Sequence, residues 1–288
     1  MTSLLRLLRT QYTPPSEPTL SFAGKTVLLT GATSGLGYEA AIKLLNLGVK
    51  TLIISTRDPH RGHAAKTALE KLTNRPDTVQ VWQLEMGSFA SVQSFAHRAS
   101  TDLKRLDVAL LNAGVWNRDF ALSREGWEGT IQVNALSTAL LAVLPDLFSG
   151  PKQYGISKLL LEYVMKTVAG LLRDEAGRVS VVVNTVSPGF CVSSLGRQYT
   201  RFYERWATWL AWKLFARTTE QGSRSLVTAT YQGVESHGRC WRSDGYLDES
   251  TALTTGPEGK QLQEKAWEEI LDVLEEHCEG LKESIRRW

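Results

Sequence analysis

Short β-branched or leucine-rich runs alternate with amphipathic stretches over the first half of the chain. The runs at 26–30, 50–55, 78–84 and 107–111 have the length and composition of buried strands, and the segments between them carry the wider apolar spacing of helices. Such alternation implies βαβ units and a parallel sheet covered by helices, an α/β architecture. Further on, the pattern predicts helices over 130–147 and 153–173, a strand over 179–186, and an aromatic helical segment over 202–215. Helices over 222–231 and 257–276 follow, the last one charged and capped. Residues 11–19 contain Pro14, Pro15 and Pro18 and few large apolar groups. Residues 1–21 therefore read as an N-terminal arm and 22–288 as one domain, with no internal repeat or linker to divide it.

Charge and cysteine content narrow the function classes. The 33 basic and 30 acidic residues leave a net +3, and the basic residues are scattered along the chain, which argues against nucleic acid as a partner. Cys191, Cys240 and Cys278 are odd in number and far apart, with no spacing suited to a metal, so they read as ordinary thiols of a reducing compartment. The apolar stretch at residues 4–8 is interrupted by Arg6 and is too short for a signal peptide or membrane span, which makes a cytoplasmic location the expectation.

The most informative local pattern is Thr30-Gly31-Ala32-Thr33-Ser34-Gly35-Leu36-Gly37. It stands directly after the apolar run Val27-Leu28-Leu29 and before the helical run at 39–47, the order required of a phosphate-binding turn. Glycines let the chain turn sharply and bring backbone N–H groups against a pyrophosphate, whose charge is favoured at the positive end of the next helix. Three glycines could also merely form a tight strand-to-helix turn, but the strand and helix on either side weaken that reading. Which dinucleotide fits depends on the end of the second strand, at Ser55-Thr56-Arg57-Asp58. An acidic residue there suits a free 2′-hydroxyl and an arginine suits a 2′-phosphate. Arg57, with Arg61 as a second cation, favours NADP(H), and Asp58 reads alternatively as a helix cap.

The glycine turn is accompanied by Asn112-Ala113-Gly114 after the fourth strand and by Tyr154-Gly155-Ile156-Ser157-Lys158. Together these motifs resemble the short-chain dehydrogenase/reductase family, in the right element order over roughly residues 22–276. The resemblance implies a Rossmann-type doubly wound parallel sheet in a single domain, binding a nicotinamide dinucleotide. It implies that Asn112 and Gly114 support the cofactor's adenine side and that Asn134 holds a water for proton relay. It assigns an adenine contact to Glu85, where the family usually has Asp, and contacts with the cofactor to Ser34, Gly35 and Leu36 of the turn. Ser187-Pro188-Gly189-Phe190-Cys191-Val192-Ser193 resembles the segment that packs on the nicotinamide, with Cys191 and Ser193 where Val and Thr are frequent. The stretches 148–154 and 217–224 look like members common in filamentous-fungal secondary metabolism and like retinol-dehydrogenase-like reductases. The implied substrate is a hydrophobic ketone, aldehyde or secondary alcohol.

Tyr154 and Lys158 are four residues apart in a helical pattern and so share one face. A phenol normally ionises near pH 10, and a neighbouring ammonium lowers that value. Lys158 can thus make Tyr154 a usable acid/base, protonating a carbonyl oxygen during reduction. A surface Tyr and Lys on an amphipathic helix would give the same spacing, and the upstream glycine motif weighs against that.

One departure from the family pattern concerns catalysis. The family carries a carbonyl-polarising serine on a strand between the helices bearing Asn134 and Tyr154. Here only 20 residues separate those positions, and the expected helix over 130–147 uses most of them. Residues 148–153 contain no β-branched run, which leaves no room for a strand. Ser149 reads as a cap of the next helix and is not assigned the serine's role. Loss of an internal strand leaves either a gap in the sheet or a forced pairing of 179–186 with 107–111. Two origins fit: a gene model or transcript that skips a segment, or a variant chain with weakened catalysis.

Phe202, Tyr203, Trp206, Trp209, Trp212 and Phe215 fall in the family's substrate-loop region. They read as core or as the wall of an apolar substrate pocket, with shallow membrane contact through Trp206, Trp209 and Trp212 as the lesser alternative. Two rival classes remain: a cofactor-binding protein without turnover, and a peripheral membrane or interaction protein on the same scaffold. The family usually pairs as homodimers through the helices bearing Asn134 and Tyr154.

Overall fold

The computed structural model describes residues 11–117, 119–140, 150–174, 176–192, 202–247, 254 and 256–285. Strands β1 (Thr26–Leu29), β2 (Thr51–Thr56), β3 (Val79–Gln83) and β4 (Val108–Leu110) form one parallel sheet in the order β3-β2-β1-β4. Helices α1 (Gly35–Asn46), α2 (Pro59–Thr73) and α3 (Phe89–Asp102) make the crossovers. Register is continuous, with Thr26 opposite Thr51 and Leu52 opposite Val79. Alternation along β1 explains the layers. Val27 and Leu29 pack with Leu52, Ile54, Ala40, Leu44 and Leu69 under α1 and α2. Leu28 faces the other way, joining Ile53, Trp82, Val92 and Phe95 under α3. A strand buried on both faces must be apolar at consecutive positions, which is why these runs read so clearly in sequence.

Beyond β4 the chain forms α4 (Gly129–Ile131), a π-helical turn at Gln132–Leu136, α5 (Ser137–Leu140) and the long α6 (Gly150–Leu171). The expected single helix over 130–147 is therefore interrupted by the π turn, and residues 141–149, including Ser149, lie outside the described residues. Ile131 and Leu136 pack with Val164 of α6 and with Ile270 and Leu274 of α9 (Pro257–His277). Helices α7 (Phe202–Phe215) and α8 (Thr219–Ala229) precede α9, and α10 (Leu281–Ile285) follows it.

The sheet is split. β5 (Thr185–Val186) pairs in parallel with β6 (Cys240–Arg242), which pairs antiparallel with β7 (Gly245–Tyr246), and these three form a sheet of their own. Among the described residues β4 and β5 are not paired, although Val186 shares a core cluster with Val108 and Leu110. The strand expected over 179–186 is corrected to its last two residues. Val181 and Val182 are 55% and 38% exposed, because a strand without a neighbour has nothing to pair its backbone or cover its side chains. Of the two outcomes expected, a forced pairing of 179–186 with 107–111 is not what the described residues show.

The N-terminal arm is docked from residue 11 onward. Pro15 and Pro18 are buried. Arg224 donates to the Pro15 carbonyl and pairs with Glu17 and Glu220, while Lys43 reaches the same two carboxylates.

Candidate functional site

The glycine turn sits where β1 meets α1, and its geometry explains its composition. Gly31 has φ +68°, and a Cβ on it would lie 2.9 Å from Ala113 Cα. A Cβ on Gly37 would lie 2.5 Å from Asn112 Nδ2 and closer still to the Gly31 carbonyl. The side chain of Asn112 donates to the carbonyl oxygens of Thr30 and Gly31 at 3.0 and 3.2 Å, and the Ala113 N–H donates to Thr30 Oγ1 at 2.9 Å. The turn and the Asn112-Ala113-Gly114 segment therefore lock each other.

Ser34 is the N-cap of α1 and its side chain makes no cap hydrogen bond, and the space a Cβ would take at Gly35 is open. A strand end, a glycine cradle and an uncapped helix N-terminus together fit a dinucleotide pyrophosphate.

At the end of β2, Asp58 caps α2, accepting the N–H groups of His60 and Arg61 at 3.0 and 3.4 Å. The helix-cap alternative for Asp58 is what the structure contains. Arg57 and Arg61 are exposed beside it, and neither guanidinium makes an ion pair among the described residues. Glu85 follows β3, and its carboxylate accepts the Gly87 N–H at 2.9 Å, stiffening its own loop.

Asn134 lies in the π turn, 1% exposed. Its amide bonds both ways to the backbone of Val115: it accepts the Val115 N–H and donates to the Val115 carbonyl, each at 2.7 Å. A longer contact of 3.5 Å runs to Ser157 Oγ on α6. The π turn aims this side chain at the loop after β4, and no apolar periodicity could have revealed that. Lys158 follows Ser157, and a Cβ on Gly114 would lie 3.3 Å from Asn134 Oδ1 and 3.9 Å from Lys158 Nζ. Gly114, Asn134 and Lys158 thus converge at the carboxyl end of β4. Lys158 keeps access to solvent through the cleft, but the protein packed around it desolvates the ammonium and lowers its pKa below the ordinary lysine value. An anion brought beside it would raise that value again. Tyr154 lies on α6 one turn before Lys158, and its side chain lies outside the described residues.

We expect Asn134→Ala to lower unfolding stability by about 1–3 kcal/mol, since it strips the Val115 N–H and carbonyl of their partners. Urea denaturation checks this, and an unchanged midpoint would count against the positioning role.

The Pro188-Gly189 segment follows β5. Cys191 is buried with its thiol toward the Pro188 carbonyl, and a Cβ on Gly222 of α8 would meet both Cys191 Sγ and Leu36 Cδ2 within 2.6 Å. The segment is thereby brought against the start of α1, but the Cys191 side chain serves packing, and burial pushes its thiol up to about 11. Ser193 lies outside the described residues. Sequence reasoning missed Arg217, which is 4% exposed and donates to the carbonyl oxygens of Gln11, Thr13 and Pro188. Side-chain bonds to distant carbonyls leave no periodic signal.

On α7, Trp206 and Trp209 are 58% and 53% exposed, while Trp212 is partly buried. Among the described residues no helix is long and apolar enough to cross a membrane, and no group of metal-ligating side chains occurs.

A family model described as short chain dehydrogenase matches residues 25–152. The short-chain dehydrogenase/reductase phmF of Phaeosphaeria nodorum is 36% identical over 316 aligned positions, spanning 93% of this chain and 92% of that one. The short-chain dehydrogenase/reductase ffsI of Aspergillus flavipes is 38% identical over 308, spanning 91% and 89%. Among solved structures, a Pseudomonas aeruginosa RhlG/NADP active-site complex has the same fold, with TM-score 0.59, 19% identity, and 78% and 96% of the two chains covered. The alignment lengths also bear on the split sheet. Since 93% of 288 residues is about 268, about 48 of the 316 positions shared with phmF have no residue here. The same reckoning gives about 46 for ffsI. Within the aligned spans, these relatives therefore hold several tens of positions that this chain lacks.

Proposed function

Because the chain belongs to the short-chain dehydrogenase/reductase family, we propose that it is an NADP(H)-dependent oxidoreductase interconverting a ketone or aldehyde and an alcohol on a hydrophobic small molecule. A role in secondary metabolism, in the cytoplasm, fits this reading. The observation that carries it is the convergence of Gly114, Asn134 and Lys158 at the carboxyl end of β4, beside the cradle of Gly31 and Gly37. Ligands of open α/β sheets bind at those strand ends.

In this reading Gly31, Ser34, Gly35, Leu36 and Gly37 hold the pyrophosphate, and Arg57 meets the 2′-phosphate. Glu85, Asn112 and Gly114 border the adenine side, and Pro188, Gly189, Cys191 and Ser193 border the nicotinamide side. When bound, the nicotinamide supplies or accepts hydride. Tyr154 exchanges the proton with the substrate oxygen, and Lys158 lowers the phenol's pKa and holds the adjoining ribose. Asn134 fixes the Val115 backbone at the cleft and stands in the relay position.

The cofactor preference is tested by titration with NADPH and NADH. Loss of a charge-assisted contact costs about 1.5–3 kcal/mol, so Arg57→Ala should cut the preference for NADPH by about tenfold to a hundredfold. An unaltered preference would remove Arg57 from the 2′-phosphate.

A second reading, cofactor binding without turnover, is favoured by one specific observation: the gap between β4 and β5. The strand that would fill it is the one that carries the family's carbonyl-polarising serine.

A further inference from the structure

β5 is two residues long, and among the described residues it has β6 on one side and no strand on the other. The chain leaving it is tied to that small sheet at its start, where the Ser187 N–H donates to the Trp241 carbonyl at 2.9 Å. The residues that follow, Pro188, Gly189 and Phe190, border the nicotinamide in the function proposed above, a task that needs a fixed backbone.

The N-terminal arm fixes it. The Gln11 side-chain amide engages both polar backbone atoms of Phe190, donating to the carbonyl at 2.7 Å and accepting the N–H at 3.1 Å. A further bond from the same amide, 2.9 Å to the Phe215 carbonyl, joins the pair to the end of α7. Arg217, 4% exposed, links arm and segment a second time. Its Nε donates to the Gln11 carbonyl at 3.0 Å, Nη2 to the Thr13 carbonyl at 2.9 Å and Nη1 to the Pro188 carbonyl at 3.1 Å. Gly189 sits flush against both side chains: its φ is +79°, and a Cβ on it would lie 2.8 Å from Gln11 Oε1 and 3.3 Å from Arg217 Nη1. Pulling the arm away would strip a buried guanidinium of two acceptors, a costly change out of water. The other end of the arm is anchored separately, with Arg224 donating to the Pro15 carbonyl and Glu17 paired with Lys43 of α1.

We propose that Gln11 and Arg217 are positioning residues for the nicotinamide half of the cofactor. They stand in for the sheet neighbour that β5 lacks and hold the Pro188-Gly189-Phe190 backbone where the nicotinamide ring is to rest. The inference rests on the oxidoreductase reading above, and it divides the cofactor between two supports: the pyrophosphate depends on the glycine turn, the nicotinamide on the arm.

Calorimetric titration of the full chain with NADPH and with 2′-phospho-ADP-ribose, which lacks the nicotinamide ring, tests it. Gln11→Ala should weaken NADPH about tenfold, the size of one to two net hydrogen bonds, and leave 2′-phospho-ADP-ribose within about twofold of the wild type. Arg217→Lys, which keeps the charge and loses the planar fork, should show the same split. Tyr12→Phe removes the bond from the next side chain of the arm to the Leu214 carbonyl and should leave both affinities as they are. Equal weakening of the two ligands in Gln11→Ala would mean that the arm supports the whole domain alike, and unchanged NADPH affinity would mean that the segment holds itself. Either result overturns the inference while the cofactor reading stands. A wild-type protein that binds neither ligand overturns that reading and this inference with it. Should Arg217→Lys not fold, Gln11→Ala on the arm decides alone.

Discussion

Gly37→Ala should lose dinucleotide binding by on the order of a hundredfold and fall in stability by about 1–3 kcal/mol, the range for overpacking a closed site. The added methyl meets the Gly31 carbonyl and the Asn112 amide, and neither neighbour is free to yield. Asn112 is held by its own bonds to Thr30 and Gly31, and Thr30 is bonded through its N–H to Leu110 and through its hydroxyl to Ala113. Relief therefore requires the turn to move away from the start of α1, which spoils the alignment of N–H groups on which phosphate binding rests. Fluorescence titration with NADPH and a thermal melt check both parts. Wild-type affinity in Gly37→Ala would mean that the cofactor does not lie on this turn.

The second large effect comes from restoring what the sheet lacks. Replacing the interval between Asn134 and Tyr154 by the interval that aligns with it in phmF should raise the melting temperature and raise the turnover number about a hundredfold or more. The stability gain has a structural source: Val181 and Val182 would be covered, and the facing edges of β4 and β5 would find partners. The kinetic gain is the size usual for one preorganised hydrogen-bond donor to a developing oxyanion. NADPH oxidation with a panel of hydrophobic ketones measures the gain. A chimera that folds with a joined sheet but turns over no faster would place the limit elsewhere.

How far the fold was legible follows from the kind of signal each part leaves. β1 to β4 fall within a residue or two of their expected positions because strands buried on both faces must be continuously apolar, and Gly31 and Gly37 were legible because only glycine fits their surroundings. The 20-residue interval between Asn134 and Tyr154 pointed to a break in the sheet, and among the described residues β4 and β5 are unpaired. Its consequence for residues 179–184 was stated only as one of two outcomes, since pairing depends on a neighbour distant in sequence. The π turn at Gln132–Leu136 left no mark in the apolar pattern, and it is what turns Asn134 onto Val115. The arm read as lying ahead of the domain because Pro14, Pro15 and Pro18 bring little apolar area. It docks instead through carbonyls offered to Arg217 and Arg224, which hydrophobic periodicity does not register. Cys191 was legible only as a family position, and the packing of its side chain beside Gly222 left no mark in the sequence.

The central claim is that a nicotinamide dinucleotide bound on the Gly31–Gly37 turn reacts through Tyr154. The most direct measurement is NADPH titration of the 288-residue protein followed by NADPH oxidation with hydrophobic ketones, beside Tyr154→Phe. The account predicts saturable binding in both proteins and turnover that falls by about 10²–10⁴ in Tyr154→Phe, the usual contribution of a positioned acid/base. Turnover equal in the two proteins, or no binding in either, would contradict it.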